Sequence, residues 1–118
     1  MKTSQKNKLD KLWAEKVKEN SDFKDEIDGT TNYLNSHHFI GRRNLSTRWW
    51  LPNGIALSPR NHTFGIQSAH QHPEWFRSEM IKIRGNLWLK ELMTRGNKVC
   101  KPVYETVLAY LKGERKDY

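Results

Sequence analysis

Apolar residues in the N-terminal segment recur at intervals of three or four. Leu9, Leu12, Trp13 and Val17 follow this spacing within residues 4 to 20, and Lys and Glu occupy most of the positions between them. The spacing places the apolar side chains on one stripe of a helix. We therefore expect an amphipathic helix that packs through this stripe and exposes a basic outer face.

The middle of the chain predicts two short strands joined by a long loop. Asp28-Gly29 is a turn signal, and a strand is expected from about Tyr33 to Ile40. Residues 41 to 54 are rich in Arg, Asn, Trp and Pro and have no regular period, which is typical of an ordered surface loop. A second strand is expected over Ile55 to Ser58.

The helical period returns in the C-terminal half. Pro73 suits the first turn of a helix that contains Trp75, Phe76, Met80, Ile83 and Leu87 at helical spacing. We expect Asn86 to cap a further helix that ends at Gly96, and Pro102 to open a last one.

No repeat or low-complexity linker divides the chain, so its 118 residues predict one α+β domain. It comprises a basic helix (1–24), a central core (25–84) and a helical extension (85–118).

Charge points to the class of partner. The chain has 21 Lys and Arg against 13 Asp and Glu, a net charge of +8 and a pI of about 9.7. Nucleic acid is the first partner that this charge indicates, an anionic membrane surface is the second, and a role in solubility alone is the third. The single Cys100 excludes an intramolecular disulfide and a multi-cysteine zinc site. Because the basic N-terminus has no apolar core, we expect neither a signal peptide nor a membrane span, and a cytoplasmic location.

All five histidines lie between positions 37 and 72. Clustered imidazoles can bind a catalytic metal ion, and one that is not a ligand can take a proton from water near neutral pH. The alternative is a set of unrelated surface and turn histidines. His37 and His38 are adjacent, and neighbouring side chains of a strand point to opposite faces. We therefore expect one to bind the ion and the other to face the attacking water.

The stretch SHHFIGRRNLSTRW from Ser36 to Trp49, followed by Asn53-Gly54 and Asn61-His62, resembles the HNH, or ββα-metal, endonucleases and in particular a phage-type branch. The resemblance covers about residues 26 to 80. It implies a ββα-metal core with a long loop between two short strands, flanked by an N-terminal helix and two or three C-terminal helices. It also implies metal-dependent hydrolysis of DNA by a phage-encoded enzyme in the host cytoplasm.

The resemblance implies a role for each matching residue. His38 would be the general base, His37 and His62 would bind the metal ion, and Asn53 would hold the loop and so fix the base. His62 would stand at the start of the family's helix. Some members of the family have a third histidine ligand, but its position is Ile66 in this chain. His70, four residues later, is therefore either the third ligand or a cap of the following helix. His72, just before Pro73, is expected at the helix start or facing DNA.

Four arginines flank the proposed site, and guanidinium groups suit bidentate phosphate contact. We expect these arginines to bind DNA with low sequence specificity, although an arginine beside Trp49 can equally be a structural stack. They are Arg42, Arg43, Arg48 and Arg60.

Many relatives also hold a structural zinc ion with two Cys-x-x-Cys pairs, which this chain lacks. Ser58 and Asn61 occupy the place of one pair, and Glu26 and Gly29 lie near the place of the other. We therefore expect one divalent ion (Mg, Mn, Ni or Zn), no structural zinc, and a fold held by apolar packing. The packing residues would be Trp13, Trp49, Trp50, Trp75 and Phe76.

The favoured function is thus a DNA endonuclease that does not engage membranes. Two alternatives remain open. One is a basic DNA-binding module without catalysis, in which the histidines are dispensable. The other is a structural phage protein whose histidines bind a purely structural ion.

Overall fold

The computed structural model describes residues 1–118 and has an α+β fold with one two-stranded antiparallel sheet. The predicted α+β class is confirmed. The helices are α1 (Thr3–Asn20), α2 (Pro73–Arg84), α3 (Asn86–Gly96) and α4 (Tyr104–Leu111), and the strands are β1 (Asn35–His38) and β2 (Gly54–Leu57).

The sheet is shorter than the sequence pattern predicts. His37 pairs with Ile55 and His38 with Gly54, and each strand has four residues. Tyr33 lies in the left-handed region with φ of 54°, which delays the start of β1. At the other end, the side chain of Asn53 accepts a hydrogen bond from the Ile40 N–H at 2.7 Å. This contact replaces a strand-to-strand hydrogen bond, so β1 ends before Ile40.

Helix α1 packs on the sheet and on α4 through its apolar stripe. Leu9, Trp13 and Val17 are buried in one core cluster with Trp49, Ala56, Val107, Tyr110 and Leu111. Gly54 permits the close approach, because a Cβ atom there would overlap the Val17 side chain.

A second core cluster lies between β2 and α2. It contains Ile55, Leu57, Ala69, Phe76 and Met80. Of the five aromatic residues expected to hold the fold, Trp13, Trp49 and Phe76 are buried, while Trp50 and Trp75 are half-buried.

The junction between α2 and α3 differs from the prediction in one residue. Gly85, with φ of 92°, is the N-cap of α3, and Asn86 is its first helical residue without a capping hydrogen bond. The same glycine ends α2 by donating its N–H to the Ile81 carbonyl at 2.8 Å. A single left-handed glycine therefore serves both helices, and the prediction that Asn86 caps α3 was wrong.

A polar cluster of three buried residues and the exposed Asp28, here called the Asp25 cluster, joins the loop before β1 to the end of β2. It consists of Asp25, Asp28, Ser58 and Asn61. Asp25 Oδ2 accepts hydrogen bonds from the Ser58 N–H at 2.6 Å and from Asn61 Nδ2 at 2.9 Å. Asn61 Nδ2 also donates to Asp28 Oδ2 at 2.8 Å. The two loops are therefore connected by charge-assisted hydrogen bonds.

The Asp25 cluster lies where the resemblance implied two cysteine pairs. Ser58 and Asn61 belong to the cluster, and the opposite loop contributes Asp25 and Asp28, which directly precede Glu26 and Gly29. Glu26 instead pairs with Arg84, whose Nη2 lies 2.5 Å from Glu26 Oε2.

None of the helices is both long enough and apolar enough to span a bilayer.

Candidate metal centre

Three histidines from separate segments meet at one point. His37 comes from β1, His62 from a five-residue π-helical turn (Arg60–Phe64), and His70 from the loop before α2. One ring nitrogen of each lies within 4.8 Å of the others, and the Nε2 atoms of His62 and His70 are 3.1 Å apart. The sequence left His70 as either a third ligand or a helix cap. The structure places its ring beside those of His37 and His62.

Backbone hydrogen bonds hold the loop that carries two of these histidines. The Ala69 N–H donates to the Asn61 carbonyl at 2.7 Å, and the His70 N–H donates to the His62 carbonyl at 3.0 Å. These bonds bring the segment back on itself, so residues eight positions apart face each other. His62 lies inside a π-helical turn, and the next α-helix, α2, begins only at Pro73. The resemblance had implied a helix that starts at His62.

Burial favours the neutral imidazoles of His37 and His62. Desolvation, followed by the positive charge that His62 and His70 would carry, lowers the pKa of His37 from 6.5 to about 3. Desolvation and His70 also lower the pKa of His62. A metal ion binds only the neutral ring, so the folded chain presents His37 and His62 in the form that binds.

The donor set fits a divalent transition metal ion. Bonds of 2.0–2.1 Å in a tetrahedral site place ligand nitrogens about 3.4 Å apart. The His62–His70 separation of 3.1 Å is close to that value, and a ring nitrogen of His37 lies within 4.8 Å of both. The cluster contains imidazoles and no carboxylate. Such a set suits Zn or Ni better than Mg, which prefers oxygen ligands.

The ring of His38 is fixed on two sides. Its Nε2 lies 2.9 Å from the Arg48 carbonyl oxygen, and its ring stacks on Trp13 with centroids 3.8 Å apart and planes 11° apart. A carbonyl can only accept, so Nε2 carries the hydrogen and Nδ1 keeps the lone pair. Desolvation lowers the pKa of His38 to about 4, against the opposing effect of the Arg48 hydrogen bond. The ring is therefore neutral at pH 7 and can accept a proton at Nδ1.

Asn53 connects the loop between the strands to itself. Its side chain is fully buried, accepts from the Ile40 N–H at 2.7 Å, and donates to the carbonyls of Ile40 at 2.9 Å and Thr47 at 3.1 Å. Thr47 is adjacent to Arg48, whose carbonyl contacts His38. The position of that carbonyl therefore depends on Asn53.

Asp10 of α1 is a site residue that sequence reasoning missed. Its carboxylate accepts hydrogen bonds from Arg48 at 3.1 and 2.8 Å, from Arg42 at 3.0 Å and from Trp49 Nε1 at 2.8 Å. Although burial raises it, the pKa of Asp10 is held below its ordinary value by the hydrogen bonds from Arg48 and Trp49. The only signal in the sequence is an acidic residue next to the apolar stripe of a basic helix.

The guanidinium of Arg48 pairs with Asp10 within the protein, and its contact with phosphate stays a prediction. Its side chain is 13% exposed, two of its guanidinium nitrogens donate to Asp10, and it lies over the Trp49 ring at 5.0 Å. The structural stack, the alternative considered from the sequence, is what forms. Arg42 also contacts Asp10, but its side chain remains 61% exposed.

A cleft of about 690 Å³ contains these groups. One wall is α1, with Asp10, Trp13 and Ala14, and the other residues that line it are Ser36, His37, His38, Gly41, Arg42, Arg43, His62 and His70. Arg60 lines a separate groove, so only Arg42 and Arg43 of the four predicted arginines are at the cleft with open guanidinium groups. His72 is the exposed residue at the N-cap of α2.

Comparison with protein-family models, with curated proteins and with solved structures finds no match. The function is therefore inferred from the chain's own residues.

Proposed function

We propose that the chain is a metal-dependent DNA endonuclease of the HNH, or ββα-metal, class. The observation that carries the proposal is one cleft with three parts: the His37–His62–His70 cluster, a separate neutral His38, and exposed arginines. Metal ligands, a general base and phosphate-binding groups are what hydrolysis of a phosphodiester requires.

Each group has a distinct part in the proposed reaction. His37, His62 and His70 would hold one divalent ion, which supplies positive charge beside the scissile phosphate when bound. His38 accepts the proton of the attacking water at Nδ1, while its Nε2–H remains on the Arg48 carbonyl. That hydrogen bond orients the ring and stabilises the imidazolium that forms.

Phosphate contacts also adjust the base. Arg42 and Arg43 orient the substrate through hydrogen bonds to non-bridging oxygens. The negative charge of a bound phosphate would raise the pKa of His38 above about 4 and so strengthen the base. Because these contacts read the backbone, cleavage has low sequence preference and a steep dependence on salt.

The arrangement of elements supports the same class. The β1–loop–β2 hairpin carries His37, His38 and Asn53 in the order that the resemblance implies, and His62 follows β2. In this proposal the π-helical turn and α2 together take the place of the third element of the ββα-metal core. A phage origin and action in the host cytoplasm belong to the proposal through the resemblance alone.

Nicking of supercoiled plasmid tests the proposal. The parent chain should cut with Mn²⁺, Ni²⁺ or Zn²⁺ and should stop on addition of EDTA. His38→Ala should lower the rate by about 10²- to 10⁴-fold, the range for loss of a general base. His62→Ala should lose metal binding as well, whereas the control His72→Ala, at an exposed position outside the cluster, should cut like the parent. Equal cleavage by parent and His38→Ala would refute the assignment of the base.

A basic DNA-binding module is the second candidate, favoured by the net charge of +8. It would bind plasmid and release it at high salt, but no metal would produce nicks. A structural ion would likewise give metal binding and thermal stabilisation without cleavage.

A further inference from the structure

The loop between His62 and His70 exposes two large apolar side chains. Phe64 is 83% exposed and Ile66 is 90% exposed, on either side of Gly65. We call Phe64–Gly65–Ile66 the loop tip. A single exposed apolar residue is ordinary, but two within three positions favour a contact surface. Neither side chain belongs to a core cluster, so folding does not account for them.

The loop tip is held in place by hydrogen bonds at its base. The Gly65 N–H donates to the Arg60 carbonyl at 2.8 Å, and Gln71 Nε2 donates to the Thr63 carbonyl at 3.2 Å. A Cβ atom on Gly65 would lie 2.6 Å from the Arg60 carbonyl oxygen, so the turn fits only glycine without a shift. The apolar side chains are therefore presented on a fixed turn.

The loop tip is close to the histidine cluster. Phe64 follows His62 by two residues, and a chain spans at most about 3.6 Å per residue, so their Cα atoms are within about 7 Å. Base pairs of B-DNA rise about 3.4 Å per step. The backbone of the loop tip therefore lies within about two to three base steps of the backbone at His62.

The charge around the loop tip favours nucleic acid. Ile66 lines a groove of about 660 Å³ with Arg60 and Trp75. The carboxylate in that groove, Asp28, already accepts hydrogen bonds from the Thr30 N–H and from Asn61 Nδ2. The exposed apolar side chains and the exposed guanidinium of Arg60 match the bases and phosphates of one strand, although Arg60 also lies near the Asp28 carboxylate.

We infer that Phe64 and Ile66 insert against the bases next to the phosphate at the histidine cluster, an inference that rests on the proposed endonuclease function. Apolar side chains that enter between base steps unstack them and bend the duplex. Base stacking on an aromatic ring tolerates any sequence, because every base has a π face. The loop tip thus contacts bases beside the cleft, on the side of the Arg60 groove, while Arg42 and Arg43 contact the backbone of the strand in the cleft.

Binding of short duplexes in EDTA, where no metal-dependent cleavage occurs, tests the inference. One strand carries 2-aminopurine, whose fluorescence rises when it is unstacked, and anisotropy of an end label reports affinity. The double variant Phe64→Ala/Ile66→Ala removes the loop tip. The matched control Leu87→Ala/Val99→Ala removes two other exposed apolar side chains, from α3 and the segment after it. Thermal melting and Ni²⁺ titration check that fold and metal site are intact.

We expect the parent and the control to bind alike and to raise the 2-aminopurine signal. The tip variant should bind at least about fivefold more weakly and give no rise in signal. Equal affinity and equal signal for the tip variant would overturn the inference, even if the parent cleaves DNA. Tip-dependent binding by a parent that never cleaves would support the inference and refute the endonuclease. Failure of the parent to bind the duplex would also overturn the inference.

Discussion

Replacing Asn53 by alanine should destabilise the protein strongly. The buried side chain makes three hydrogen bonds, at 2.7, 2.9 and 3.1 Å, to backbone groups of Ile40 and Thr47. Each such bond contributes about 1 kcal/mol, and buried partners left unpaired add to the cost. We expect a loss of about 3 to 5 kcal/mol, a large share of the ~5 to 15 kcal/mol typical of a domain.

Urea unfolding in EDTA, followed by the fluorescence of the five tryptophans, measures this loss. Asn53→Asp preserves the size of the side chain and the acceptor for the Ile40 N–H. Its second oxygen would face the two carbonyls that the amide now contacts, so it should be at least as unstable as Asn53→Ala. The exposed Asn7→Ala, on α1, should stay within about 0.5 kcal/mol of the parent.

A loss below about 1 kcal/mol for Asn53→Ala, with an unchanged denaturant slope, would refute the reasoning. It would mean that the loop holds its shape without the amide. In that case the Arg48 carbonyl, and with it the orientation of His38, would not depend on Asn53.

Three further predictions follow from other contacts. Gly54→Ala should lower the melting temperature by several degrees, because a Cβ atom would overlap α1; an unchanged melting temperature would show that the helix moves freely. The free energy of unfolding of the metal-free protein should fall as pH drops from about 6.5 toward 4. The pKa values of His37 and His38, about 3 and about 4, lie below 6.5, so the unfolded chain binds protons that the folded chain does not. A flat urea midpoint across that range would contradict these pKa shifts. Ni²⁺ at about 100 times its Kd should stabilise the parent by about 2.7 kcal/mol and should leave His62→Ala unchanged, as differential scanning fluorimetry would show.

Local patterns in the sequence predict much of this fold. The helices follow from apolar spacing, and α1 begins and ends within one residue of the predicted range. The bounds of β1 do not follow from the pattern, because the left-handed Tyr33 delays its start and the Asn53 side chain ends it before Ile40. Neither effect is visible in a pattern of apolar residues, since each depends on how the loop folds back.

The candidate site also has parts that the sequence predicts and parts that depend on tertiary packing. The clustering of histidines in the sequence anticipates the meeting of His37, His62 and His70, although the return of the loop that brings in His70 depends on backbone hydrogen bonds. Arg48 was assigned from its neighbours alone, and its partner Asp10 lies 38 positions away on another element. This pair forms only because α1 packs on the loop between the strands, and no local sequence motif predicts that packing.

The Asp25 cluster has a consequence for how the protein can be handled and where it can work. Its loops are joined by hydrogen bonds among Asp25, Asp28, Ser58 and Asn61, so this part of the fold depends neither on a supply of zinc nor on reduced thiols. Chelators and oxidants, which unfold proteins held by cysteine-bound zinc, should leave this junction intact. Metal ions could then be exchanged at the histidines of a folded chain, which allows the ions to be compared on a single preparation.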